Sequence, residues 1–141
     1  MNSYAKQYGD FFETLTKESN LASYEAFFTK DSTFEDPFQK VQGLDSIYKV
    51  FQHMYATLYE PKFIVTETVE SDSIAYLKWD FTFKLSKDAK EQSFEGVSRV
   101  EFRKDGKVFS HTDYWDAANN VYEQIPLLGS ILRLIKRKVR A

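Results

Sequence analysis

The chain contains no cysteine, which removes disulfides, thiolate chemistry and thiolate metal sites together and leaves redox compartment unmarked. Histidine is nearly as scarce: His53 and His111 lie far apart, without H-x-x-x-H or H-x-H spacing, so no metal site is expected. No apolar run approaches the ~20 residues of a membrane span, and the start, MNSYAKQYGDFFETL, lacks the basic cluster and apolar stretch of a signal peptide. A cytoplasmic location is the expectation. With only three prolines and five glycines, and no repeat or low-complexity stretch, nothing marks a linker, and one domain over residues 1–141 is expected.

Basic charge is also sparse outside the tail. Of 19 lysines and arginines, Arg133, Lys136, Arg137, Lys138 and Arg140 crowd the end, leaving 14 against 21 acids, so the rest of the chain carries −7. A nucleic-acid partner is therefore not expected, since the phosphates need a basic face.

What the chain has in quantity is aromatic rings: 13 Phe, 9 Tyr and 2 Trp. Such side chains build either a bulky core or a lined cavity. Tyr4, Tyr8, Phe11, Phe12 and Leu15 recur on one face of a first helix. Asn20 offers an N-cap for a short second helix with Leu21, Tyr24, Phe27 and Phe28, ending before a turn at Lys30-Asp31-Ser32. In TFEDPF, Phe34, Asp36 and Phe38 share one strand face. Leu44, Ile47, Tyr48, Phe51, Met54, Tyr55 and Leu58 trace a third helix that Pro61 closes.

The remainder alternates with the period of a strand. Phe63, Val65 and Val69 precede a turn at Ser71-Asp72, and Ala75, Leu77, Trp79, Phe81, Phe83 and Leu85 line one face of a long strand. After the polar loop SKDAKEQ, Phe94, Gly96, Ser98, Val100 and Phe102 share a side, and Asp105-Gly106 turns the chain into a last strand ending HTDYWD. There Phe109, His111, Asp113 and Trp115 fall on one side, Tyr114 and Asp116 on the other. Ionisable residues on the inward side of a strand are not ordinary core.

Three helices followed by a curved antiparallel sheet make an α+β fold. The order of elements, with DSTFEDPF before QGLDSIYKVFQHMY and the closing GKVFSHTDYWD, resembles the nuclear transport factor 2-like superfamily, in its SnoaL-like and ketosteroid-isomerase-like branch. The resemblance implies a cone: a curved antiparallel sheet wrapped round three N-terminal helices, enclosing a pocket that members use for isomerase, cyclase or hydrolase chemistry or for plain binding. Asp36, in EDP, matches the isomerase base; the oxyanion tyrosine falls on Phe12 and the protonated aspartate on Ser98. With one donor missing and the other weakened, steroid isomerase activity is not expected. SnoaL-like cyclases similarly hold His and Asp in the pocket.

The resemblance thus nominates Asp36, His111 and Asp113 as acid-base residues, in a pocket lined by Phe12, Phe34, Tyr55, Trp79, Ser98, Val100 and Trp115. Plainer readings stand beside these: Asp36 as a turn residue, and His111 with Asp113 as a structural pair. His53, off the apolar stripe of helix three, reads as exposed, and a Ser98-His111-Asp113 triad lacks a nucleophile-elbow sequence.

The tail combines an apolar stripe of Leu128, Ile131, Leu132, Ile135 and Val139 with a basic one, and a C-terminal amphipathic helix over about residues 121–139 is expected. It either packs on the domain or a partner subunit, or touches an anionic membrane. Two functions stay open: a SnoaL-like enzyme acting on a carbonyl-containing ligand, and a non-catalytic carrier of a small apolar or polycyclic molecule. No cofactor is expected, and a homodimer is.

Overall fold

The computed structural model describes residues 3–120, 133–135 and 137–140. Its first helix, α1 (Tyr4–Thr14), starts where the Ser3 hydroxyl accepts the Lys6 amide at 3.1 Å, and it buries Ala5, Tyr8, Phe11 and Phe12. Asn20 caps α2 (Leu21–Glu25) as the sequence suggests, its side chain accepting the Ser23 amide at 3.1 Å.

The helix stops earlier than its apolar spacing predicts, because Phe28 already opens strand β1 (Phe28–Asp36). Lys30-Asp31-Ser32 is not a turn but an irregular stretch inside that strand, where the register against the neighbouring strand shifts between Phe28 and Thr33. Ser32 explains how: fully buried, its hydroxyl lies 2.6 Å from the Val108 carbonyl and stitches the bulged backbone to the next strand.

A short β2 (Gln39–Gln42) precedes α3 (Leu44–Thr57), which buries Leu44, Ile47, Phe51 and Tyr55 against β1. The chain then runs through β3 (Tyr59–Ser71), β4 (Ile74–Lys84), β5 (Gln92–Phe102) and β6 (Val108–Trp115) to a short α4 (Ala117–Asn120). Pro61 lies in β3 rather than before it, at a register shift between Tyr59 and Lys62, where its missing N–H breaks no ladder bond.

The six strands form one curved, unclosed sheet in the order β2-β1-β6-β5-β4-β3. Every neighbouring pair is antiparallel except β1 with β6, which is parallel, a departure from the all-antiparallel expectation. A parallel pair needs a long connection, and α3 with the whole β3–β5 meander supplies it.

The β5–β6 hairpin turns at Gly106, whose φ of +87° suits a residue without Cβ. Just after it, Glu101 pairs with Ser110 but Phe102 pairs with Val108, so Phe109 is the extra residue of a bulge. The bulge resets the alternation: Val108, not Phe109, is fully buried next to the buried His111, while the Phe109 ring lies 4.5 Å from the Arg103 guanidinium.

The expected helix over residues 121–139 lies outside the described residues apart from 133–135 and 137–139, which are helical with Leu134, Ile135 and Val139 exposed. Among the described residues, no helix is long and apolar enough to cross a membrane.

Candidate functional site

The inward face of the sheet carries polar atoms where β4, β5 and β6 run side by side. Register places Leu77 opposite Ser98, Ser98 opposite Asp113 and Val100 opposite His111, so Ser98, His111 and Asp113 project together towards α1. They form one chain of hydrogen bonds with two aromatic ends. The Trp79 Nε1–H donates to Ser98 Oγ at 2.8 Å, and the Ser98 hydroxyl donates to Asp113 Oδ1 at 2.5 Å. His111 Nε2 meets the same Oδ1 at 2.6 Å, and His111 Nδ1 meets the Tyr8 hydroxyl at 2.6 Å.

The direction of each bond follows from what each group can do. Indole N–H only donates, so Ser98 accepts from Trp79 and must pass its own proton to Asp113. Burial, reinforced by the negative charge of Asp113, pushes the Tyr8 hydroxyl well above its ordinary pKa, so it keeps its proton. A carboxylate oxygen only accepts, so His111 Nε2 carries a proton directed at Asp113, and the protonated Tyr8 hydroxyl is the partner of Nδ1. Both arms end on one carboxylate oxygen. The other, Oδ2, takes no hydrogen bond among the described residues, and the Asp113 side chain keeps 13% of its surface against 3% for His111.

The Asp113 side chain borders open space. Asp113 lines both a tight cleft of about 20 Å³ beneath α1 and a cavity of about 460 Å³ beyond it. The cavity is walled by rings, among them Phe34, Trp79, Phe81, Phe83, Phe94 and Trp115, with Phe94 and Trp115 stacked at 4.6 Å between centroids. Its volume suits a small organic ligand. Trp79 holds its place because residue 96 is glycine: a Cβ there would lie 2.5 Å from the indole ring.

The nominated residues divide accordingly. Phe34, Trp79 and Trp115 line the cavity, and Phe12 and Ser98 the cleft. Tyr55 and Val100 line neither: both are buried in the core cluster, their side chains packed among its other members rather than facing open space. Asp36 reaches the cavity wall, but its oxygens turn to the following residues, accepting the Phe38 and Gln39 amides at 2.8 and 3.1 Å and the Gln39 side-chain amide at 3.1 Å. It caps a turn, as Asp often does. His53 is exposed as expected, and its ring also edges the cavity. Ser98, His111 and Asp113 do meet, but in the order serine-aspartate-histidine; the histidine cannot take the serine proton, so no nucleophilic triad forms.

Tyr8 is the residue the sequence reading passed over. It lies one helical turn before Phe12 on the same face, which is the one signal that could have found it. Among the described residues, no group of His, Asp and Glu is arranged to hold a metal ion.

The class is that of α+β folds in which helices lie against one curved, unclosed six-stranded sheet. The chain belongs to the SnoaL-like domain family, whose pattern matches residues 8–111. No curated protein matches it by sequence. Similar solved structures include a protein of ketosteroid-isomerase-like fold from Catenulispora acidiphila in complex with trimethylamine, 12% identical, covering 86% of this chain and 91% of that one at a TM-score of 0.71. TerC co-crystallised with polyporic acid is 12% identical, with coverages of 83% and 95% and a TM-score of 0.68. A SnoaL-like family protein from Agrobacterium tumefaciens is 13% identical, with coverages of 80% and 94% and a TM-score of 0.66. At such identities the likeness is one of fold.

Proposed function

We propose that this SnoaL-like domain binds a small, mainly apolar or polycyclic molecule in the aromatic cavity, with Asp113 as its orienting polar contact. The observation that carries the reading is the closure of the hydrogen-bond chain. The donors of the chain, from Trp79, Ser98, His111 and Tyr8, are all engaged within the protein, and Oδ2 is its one acceptor left without a partner among the described residues. Chemistry next to a carbonyl needs donors where the oxyanion develops, each worth ~100-fold or more in rate. A binder needs only shape, apolar surface and one directional contact. Two proteins of the same fold were crystallised with small molecules, trimethylamine and polyporic acid, which supports small-molecule binding. A homodimer, expected from the sequence, belongs to this reading, and sedimentation equilibrium would show twice the monomer mass.

The open Oδ2 favours a second reading, an acid-base enzyme of SnoaL-like type with Asp113 as base and His111 holding it in place. A β,γ-unsaturated ketosteroid that also carries a hydroxyl, able to donate to Asp113, separates the two. Binding is followed by quenching of Trp79 and Trp115, and turnover by the ultraviolet absorbance of the conjugated product. Quenching without turnover is the expected result; turnover that disappears in Asp113→Asn would replace the binder with the enzyme.

A further inference from the structure

The aromatic lining of the large cavity conceals a one-sided charge. Two carboxylates, Asp36 and Asp113, reach its wall, and among the described residues no lysine or arginine does. Asp36 is met only by neutral amide dipoles from its own turn, so its charge is solvated but not cancelled. His111 meets Asp113 only through Oδ1, at 2.6 Å, and leaves Oδ2 without a partner among the described residues.

Asp113 Oδ2 can only accept, so whatever lies against it must donate. A wholly apolar ligand would seal a carboxylate away from water with no partner, and burying an unpaired charge is among the costliest things a binding event can do. A ligand carboxylate would add a like charge to the two carboxylates already on the wall. A cation gains twice: it pairs with Oδ2, and it lies among rings whose quadrupoles attract positive charge within about 6 Å of their centroids. Trp79 and Trp115, the only tryptophans of the chain, both line this cavity together with Asp113.

We infer that the cavity selects a hydrophobic organic cation, an ammonium group carried on an apolar or aromatic body, with the ammonium seated at Asp113 Oδ2 between the tryptophan-bearing walls. The inference rests on the reading of the cavity as a ligand site and names the class of ligand it takes.

The test uses three probes that share one body and differ at one end: phenylbutylamine, phenylbutanol and phenylbutyrate at neutral pH. Proton–nitrogen correlation spectra of the full chain follow the two indole N–H signals, which report on the cavity alone. The amine should bind at least about tenfold more tightly than the alcohol, the size of a charge-assisted contact in a sheltered site, with the carboxylate weakest. Asp113→Asn, which keeps an acceptor for Ser98 and His111, should erase the preference of the amine over the alcohol. Equal affinities for amine and alcohol, or a preference for the carboxylate, would overturn the cation assignment while leaving the cavity as a ligand site. A preference that survives in Asp113→Asn overturns the seat at Asp113. Indole signals unmoved by all three probes would sink the cavity reading itself.

Discussion

One concave sheet face serves two different ends of this molecule. At the closed end, α1 and α2 press Tyr8, Phe11, Tyr24 and Phe28 into contact, with Phe11 and Tyr24 edge to face at 5.4 Å and Tyr24 1% exposed. At the open end, Trp79, Phe81 and Phe83 continue the same alternating stripe of β4, yet with Phe94 and Trp115 they wall a cavity of about 460 Å³. The residue types are the same. What differs is cover: α1 ends at Thr14 and reaches only part of the sheet, and beyond it the rings of β4, though buried, border the cavity. The chain from Tyr8 to Trp79 marks the border, its polar atoms paired along the line where core gives way to cavity. An aromatic stripe is thus core or ligand wall according to what lies over it.

The contrast should be largest at alkaline pH, because the three tyrosines held above their ordinary pKa, Tyr8, Tyr24 and Tyr55, all belong to the closed end, each mainly through burial. Above pH ~10 the unfolded chain loses these protons while the folded chain keeps them, so the native state binds more protons and stability falls as pH rises. The loss should reach up to about 4 kcal/mol per pH unit for three sites, read from urea midpoints between neutral pH and pH ~11. A flat profile would show that the closed end admits water.

Next in size is a matched pair of truncations. Phe28→Ala, at a site 1% exposed and enclosed on all sides, should cost about 3 to 5 kcal/mol. Phe83→Ala, at a ring that already borders empty space, should cost about 2 kcal/mol or less, having fewer contacts to lose. Equal losses by chemical unfolding would mean that the open end is as tightly packed as the closed one.

The smallest effect lies at the border. Tyr8→Phe leaves His111 Nδ1 buried without its donor and should destabilise by about 1 to 3 kcal/mol. Ring nitrogen shifts of His111 in the wild type check the bond directions: they should show the proton on Nε2, and a protonated Nδ1 would make the Tyr8 hydroxyl the acceptor.

Much of the fold was legible because periodicity is a local property. The faces of α1, α3 and β4 followed from spacing alone, and Asn20 and Gly106 marked a helix start and a hairpin turn by their own chemistry. The misreadings share a cause. Ser32 looked like a turn residue and Phe109 like an inward one, and in both cases a bulge, set by pairing with a distant strand, overrode the local pattern.

The candidate site divides in the same way. Alternation along HTDYWD by itself determined that His111 and Asp113 face inward together, since adjacent inward positions of one strand need no partner to be neighbours. That Tyr8 reaches across from α1 and that one Asp113 oxygen is left open were decided only by the tertiary structure. These facts depend on contacts between residues as far apart as Tyr8 and His111, and no local period encodes which distant side chain will satisfy a buried polar atom.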